Sequence, residues 1–346
     1  MAVFFIMMLL VYLAGNIYVY VRGLQTVHHF PLWSKWLYSI VYWSIALSFM
    51  FVFVLRNAGI SISLSHILFE MGTGWLVFTL YMVLLLGGFD LLRLFVRSLP
   101  NGFLPALLFT ICILTYGYIR YQYPSVKVIN LAFNKTLADS DASIKVVAIS
   151  DVHLGLGTVK SKLKKYVDLI NRQEPDLILI SGDLIDNSIV PVENQQMHEE
   201  LSQLNARLGV YMANGNHEYI SGIKDCMRFL ARTPIHVLRD SVVTLPNGIQ
   251  LIGRDDRSVR SRKAIAQLTQ DINTDRPFIV LDHQPVELGP AVEAGADLLI
   301  CGHTHNGQVW PLNLVTKRMF EISYGYEKRE QTHIYVTSGL SLWGPP

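Results

Sequence analysis

Ile144-Lys145-Val146-Val147-Ala148-Ile149-Ser150-Asp151-Val152-His153 is a short apolar run that ends on an acid and an imidazole. Four later stretches repeat the design. Asp176 to Ile180 runs into Gly182-Asp183-Leu184-Ile185-Asp186, and Leu208 to Met212 runs into Gly215-Asn216-His217-Glu218. Pro277 to Leu281 leads to His283, and Asp297 to Ile300 leads to Gly302-His303-Thr304-His305. Lys160 to Asn171 has helical spacing, and Ile249 to Ile252 and His333 to Val336 read as further strands. Strands alternating with helices predict an α/β domain. In such sheets ligands gather beyond the carboxyl ends of the strands, where every one of these polar groups falls.

The residue types point to metal chemistry. Asp151 and His153 are one residue apart, so in an extended chain they point the same way. A carboxylate with an imidazole suits a divalent ion. Gly182 permits a tight turn before Asp183, whose two oxygens are enough to bridge two ions. Asn216 offers a neutral amide oxygen, and His283, His303 and His305 offer imidazoles. Two metals about 3.5–4 Å apart activate a water between them and clamp an in-line displacement. Singly, these groups have ordinary explanations: Asp-x-His fits a cap or turn, and Gly-Asp fits a turn. In this order, each behind a strand, they form one set. His28, His29, His66, His198, His236 and His333 lack that context and read as interfacial, surface or structural.

The set resembles the calcineurin-like metallophosphoesterase superfamily, whose pattern is DxH, GDxxD, GNH[DE], H and GHxH. The resemblance runs from Ile144 to about Gly344. It implies a four-layer α-β-β-α sandwich over residues 144–346 with a centre of two divalent ions, manganese, iron or zinc. One ion would take Asp151, His153, Asp183 and His305, and the other Asp183, Asn216, His283 and His303. His217 would act as a catalytic acid toward the leaving group, held in place by Asp186. Gly253-Arg254-Asp255-Asp256, Gly307-Gln308-Val309-Trp310-Pro311 and Ser338-Gly339-Leu340 resemble a bacterial branch with an N-terminal membrane anchor, some of whose relatives cleave a lipid-linked pyrophosphate. Two features depart from the wider pattern. Asn187 and Ser188 stand where phosphoprotein phosphatases have arginine and glycine, which weakens a protein-phosphatase reading. The chain also stops at Pro346, where relatives usually continue with another strand-like segment.

The first third is different. The whole chain is 51% hydrophobic and 16% charged, and of its 27 acids only Glu70 and Asp90 precede residue 136. About four stretches reach the roughly 20 apolar residues a bilayer requires: Ala2 to Val21, Trp36 to Leu55, Gly74 to Val96 and Phe103 to Ile119. Residues 1–120 therefore read as a transmembrane helical bundle, with an uncleaved first helix. Asp90 with Arg93 reads as an interfacial pair one turn apart. Residues 121–143 read as a linker holding a first strand, Val126 to Leu131. The loop charges Arg22, Lys35, Arg93 and Arg97, set against Arg56, Arg120, Lys127 and Lys135, lean slightly toward a catalytic domain outside the cytoplasm of a bacterial inner membrane.

A net charge of +2 gives no nucleic-acid footprint. Cys112, Cys226 and Cys301 are too scattered for a disulfide framework or a cysteine zinc site. The function expected is membrane-anchored hydrolysis of a phosphodiester or pyrophosphate on a lipid-linked substrate. A phosphoesterase for soluble nucleotides or small diesters, and a non-catalytic membrane sensor of the same fold, are the alternatives. No continuous basic patch marks a headgroup site. Arg254 is one candidate, while Lys162, Lys164 and Lys165 fit a solvated helix face better.

Overall fold

The computed structural model describes residues 2–48, 50–51, 61–135, 137 and 143–345, with side chains from residue 6 onward. They form two compact units, one comprising residues 1–125 with 344–346 and the other Val126–Trp343.

In the first unit, helices α1 (Ala2–Thr26), α3 (Ile62–Phe95) and α4 (Phe103–Gln122) are long and apolar enough to cross a membrane. Helix α2 (Leu32–Ala46) spans 15 residues. It begins four residues before the expected second span, whose far end falls partly outside the described residues. Three helices of spanning length are thus found among the described residues, against an expectation of about four. The expected third span at Gly74 starts too late: Ser61 accepts the Leu64 N–H and begins α3 twelve residues earlier. Hydropathy alone missed that cap, because Ser61 to His66 is polar enough to look like a loop.

Polar contacts tie these helices together. Asn16 is fully buried, and its Oδ1 accepts from Trp75 Nε1 at 2.9 Å and Tyr42 OH at 3.1 Å. Inter-helical hydrogen bonds of this kind hold helices in an apolar medium, where burial alone offers little attraction. Asp90 pairs with Arg22 on α1 at 2.8 Å and accepts from Tyr18 OH at 2.6 Å. Arg93, the partner expected from spacing, is farther away at 3.9 Å. Arg22 is therefore tied to an acid rather than acting as a free loop charge.

The second unit is the sandwich. Its first sheet is all parallel in the order β1 (Val146–Ile149), β2 (Leu177–Ser181), β3 (Val210–Ala213), β4 (Ile235–Leu238). Its second sheet adds β5 (Ser241–Thr244), β6 (Gln250–Gly253), β7 (Phe278–Leu281), β8 (Leu298–Cys301), β9 (Gly325–Arg329) and β10 (Thr332–Val336). The order is β5-β6-β7-β8-β10-β9, with the two outermost pairings antiparallel. Alternation along the strands makes the layers. Leu177 and Leu179 face Ile279, Leu281, Leu298 and Ile300 in a core between the sheets. Ile178 and Ile180 turn the other way, onto Leu163, Tyr166, Val167 and Ile170 of helix α5 (Lys160–Asn171). On the far side Phe278, Val280, Leu299 and Ile334 pack with Ile265, Leu268, Leu288 and Ala291. Both faces of each central strand are covered, which is why these strands read as unbroken apolar runs.

Residues Val126–Leu131 form no strand. Val126 and Val128 are exposed, while Leu131, Phe133 and Leu137 pack against the core between the sheets. The segment contributes side chains to that core without pairing its backbone, and Lys135 anchors it to Asp297 at 2.7 Å.

Candidate metal centre

Every predicted ligand lies at the carboxyl end of a strand. Asp151 and His153 follow β1, Asp183 and Asp186 follow β2, and Asn216 and His217 follow β3; His283 follows β7, and His303 and His305 follow β8. The two sheets meet there, so side chains far apart in sequence converge.

The backbone at this edge is not extended. Asp151, His153, Asp183, His303 and His305 have φ of 52°, 49°, 52°, 72° and 48°. Non-glycine residues in this left-handed region carry strain, and such residues cluster at functional sites. Asp151 and His153 therefore converge through left-handed turns, not through the strand alternation expected from their i, i+2 spacing.

Several glycines make room. A Cβ at Gly215 would stand 2.6 Å from Asp183 N and 2.8 Å from its Cγ. One at Gly302 would stand 2.6 Å from Ser150 Cβ, and one at Gly339 would stand 2.9 Å from Asp151 Cβ. The chain after β10 also closes on the site: Leu340 N donates to Ser150 O at 2.9 Å and Ser341 N to Asp151 O at 3.1 Å.

Ligand atoms gather in overlapping groups. Asp151, His153 and His305 form one and Asp183, His283 and His303 another; His153, Asp183 and His217 link them. His153 Nε2 lies 3.1 Å from His305 Nε2 and 4.0 Å from Asp183 Oδ2, and His305 Nε2 lies 3.4 Å from Asp151 Oδ1. His283 Nε2 lies 3.0 Å from Asp183 Oδ2. Its other nitrogen, Nδ1, is 2.8 Å from the Ser181 carbonyl. A carbonyl can only accept, so Nδ1 donates to it, and with a cation in the site Nε2 would be left to present its lone pair. Asn216 Oδ1 is buried without a hydrogen-bond partner. Buried polar atoms are normally satisfied, and a coordinated cation would satisfy it. The residues therefore fit the metal ions that the donor set implies.

Charge is balanced locally. Burial works against a charged His153, yet Asp151 and Asp186 hold its imidazole up at about 9. Burial likewise opposes ionisation of Asp186, but the His153 and His217 imidazoles bring it down to about 2. Burial and the nearby His283 depress His303 to about 4. Asp186 Oδ1 is 3.2 Å from His217 Nδ1 and 3.5 Å from His153 Nδ1, so one carboxylate addresses both rings.

Two contributors went unassigned in the sequence. Glu218 is fully buried, and its carboxylate accepts from the N–H groups of Asp183, Ile185 and Gly215 at 3.0, 2.9 and 2.8 Å. It clamps the β2 turn to the β3 turn. Its place two residues beyond Asn216, at a helix start, was the available signal. Trp343 meets the His217 ring edge-on, with centroids 5.9 Å apart. Nothing in the local sequence predicts that meeting. Arg254 is no headgroup ligand, because it is buried against Asp282 at 3.0 Å. Lys164 and Lys165 lie on the solvated face of α5, as expected, and Lys162 lies over the Tyr166 ring.

The family model for calcineurin-like phosphoesterases matches residues 144–307, all five motif groups included. This chain carries a calcineurin-like phosphoesterase domain. An uncharacterized metallophosphoesterase of Helicobacter pylori is 34% identical over 212 residues, covering 60% of this chain and 56% of its own. A transmembrane protein with a metallophosphoesterase domain from Danio rerio is 31% identical over 258 residues, covering 70% and 58%. The chain thus spans less than two-thirds of the length of these relatives. They come from bacteria and animals alike, so similarity does not single out a bacterial branch. Among solved structures, a dimetal phosphatase from Danio rerio matches 57% of this chain and 88% of its own, at 12% identity and TM-score 0.35. Phosphoesterases of this family use a dinuclear metal centre, and the Asp and His groups here are placed to bind metal.

Proposed function

We propose that this chain is a membrane-anchored, two-metal phosphoesterase that hydrolyses a phosphodiester or pyrophosphate on a lipid-linked substrate. The carrying observation is the convergence of Asp151, His153, Asp183, His283, His303 and His305, with Asp183 between the two ligand groups. Bound metals would supply Lewis acidity and a nucleophilic water. Asp151, His153, Asp183 and His305 would hold one ion, and Asp183, Asn216, His283 and His303 the other.

The remaining steps belong to the chain. Asp183 Oδ1 accepts the His217 N–H at 2.9 Å, which fixes the start of the helix bearing His217 next to the ligands. His217 is buried at the site with Asp186 behind its Nδ1. We assign it proton donation to the leaving oxygen, with Asp186 orienting the ring. Trp343 meets the same ring edge-on. The lipid-linked substrate class is supported by three helices of spanning length in the same chain and by a relative named as a transmembrane protein. A multi-pass fold in a bacterial inner membrane, with the catalytic domain outside the cytoplasm, completes the proposal.

The test compares manganese-dependent hydrolysis of bis-p-nitrophenyl phosphate with that of p-nitrophenyl phosphate by full-length protein in nanodiscs. A diester preference supports the reading. Faster hydrolysis of the monoester, with the same metal dependence, refutes the diesterase assignment.

A further inference from the structure

The helix Leu312–Met319 follows the His303–His305 turn and buries none of its residues. Leu312, Val315 and Met319, spaced i, i+3, i+7, form one stripe along it. Leu314 lies off the stripe, on the side that carries Lys317 and Arg318, and Trp310 just precedes the helix. These five side chains are between 44% and 70% exposed. Burying such aliphatic groups is favourable in water, so the face invites a covering partner. Lys317 and Arg318 stand in the last turn. The nearby Glu321 carboxylate is engaged by Arg329 at 2.6 Å. Aliphatic residues, an aromatic at one end and cations at the other match helices that lie in a membrane interface, with Trp at headgroup level.

The helix is fixed to the site. Gln308 N donates to His305 O, and Leu312 N to Val309 O, both at 2.8 Å. Gly307 has φ 71°, and a Cβ there would meet Leu312 C at 2.5 Å and Asn313 Cα at 2.6 Å. The first turn of the helix therefore rests on the residue two beyond His305. The chain also brings its own bilayer: α4, a helix of spanning length, ends at Gln122, and the catalytic unit starts at Val126. The three intervening residues reach only about 3.3–3.6 Å each, so the unit stays tethered near lipid.

We propose that Trp310 and the helix Leu312–Met319 form an interfacial anchor that seats the mouth of the metal site on an anionic lipid surface. This deepens the lipid-surface reading above. The anchor places the His303–His305 turn at headgroup depth, where a phosphate or pyrophosphate on a lipid is presented.

The test uses full-length protein with Cys112→Ser, carrying a nitroxide on Val315→Cys, Met319→Cys or, as control, Lys164→Cys. Cys226 and Cys301 are buried and stay unlabelled. Each protein is placed in phosphatidylcholine nanodiscs with or without phosphatidylglycerol, and collisions with oxygen and with a water-soluble nickel chelate are compared. The expected result is that oxygen outweighs nickel at 315 and 319 in phosphatidylglycerol discs, with the ratio inverted at 164. Lys317→Glu with Arg318→Glu should shift 315 and 319 back toward the control. Nickel access at 315 and 319 equal to that at 164 overturns the proposal, as does shielding from both reagents, which marks a protein partner. Hydrolysis of bis-p-nitrophenyl phosphate by the same labelled proteins reports separately on the metal site, so failure of the anchor and failure of the phosphoesterase reading are told apart.

Discussion

Gly215→Ala is a one-carbon probe of the metal centre. The Gly215 backbone has φ −106° and ψ −176°, which alanine adopts without strain. Any effect must therefore come from the new Cβ. That atom would stand 2.6 Å from Asp183 N and 2.8 Å from Asp183 Cγ, with Oδ1 closer still. Ordinary carbon contacts lie at about 3.5–4.0 Å, so the Asp183 carboxylate must retreat by about 1 Å. Metal–ligand distances tolerate about 0.2 Å, and a misplacement of about 1 Å can cost about 100-fold in rate. We therefore expect kcat/KM on bis-p-nitrophenyl phosphate to fall about 100-fold, about 2.7 kcal/mol at 1.36 kcal/mol per tenfold, with bound metal reduced. Gly289→Ala is the control, since a Cβ there meets only Glu293 Oε1, at 4.0 Å. Gly215→Ala with wild-type metal content and kcat/KM near that of Gly289→Ala would refute the reasoning.

Glu218→Gln replaces one acceptor oxygen facing three backbone N–H groups. It should cost about 1–3 kcal/mol, read as a lower midpoint in thermal denaturation; an unchanged midpoint contradicts the clamp. In metal-stripped protein, His153 is raised from 6.5 to about 9, so its stabilising charge is fully present below 6.5 and is lost as pH rises through about 9. Metal needs the neutral ring, so manganese affinity should climb between 6.5 and about 9 with proton release. Calorimetric binding heats at neutral pH should then vary with buffer ionisation enthalpy, and heats independent of buffer would contradict this. His217→Ala should keep its metals yet lower kcat about 10²–10⁴-fold. Asp186→Asn should lower both kcat and metal affinity, because that carboxylate faces His217 and His153; unaltered metal titration would argue against the shared role.

The central strands were legible to within two residues because both faces are buried and their sequences are nearly all apolar, as in Leu177–Ser181. The edge strands were not. Glu327, Lys328 and Arg329 make β9 look like a loop, since an edge strand needs only one neighbour and tolerates charge. β4 and β5 were missed for a related reason: His236, Ser241 and Thr244 interrupt short apolar runs with polar residues. Val126–Leu131 misled in the other direction, because β-branched residues resemble a strand even where no neighbour pairs with them. The ligand residues were legible because chemistry restricts metal binding to a few residue types behind strands. The left-handed turns that aim them, the Glu218 clamp and the meeting of Trp343 with His217 depend on chain reversals that local sequence does not encode.

The most direct measurement is on Asp183→Asn in detergent-purified full-length protein: metal stoichiometry alongside manganese-dependent hydrolysis of bis-p-nitrophenyl phosphate. If Asp183 joins the two ligand groups, the variant loses turnover and no longer holds a full pair of ions. A full pair of bound ions with wild-type turnover would contradict the two-metal site proposed for this domain.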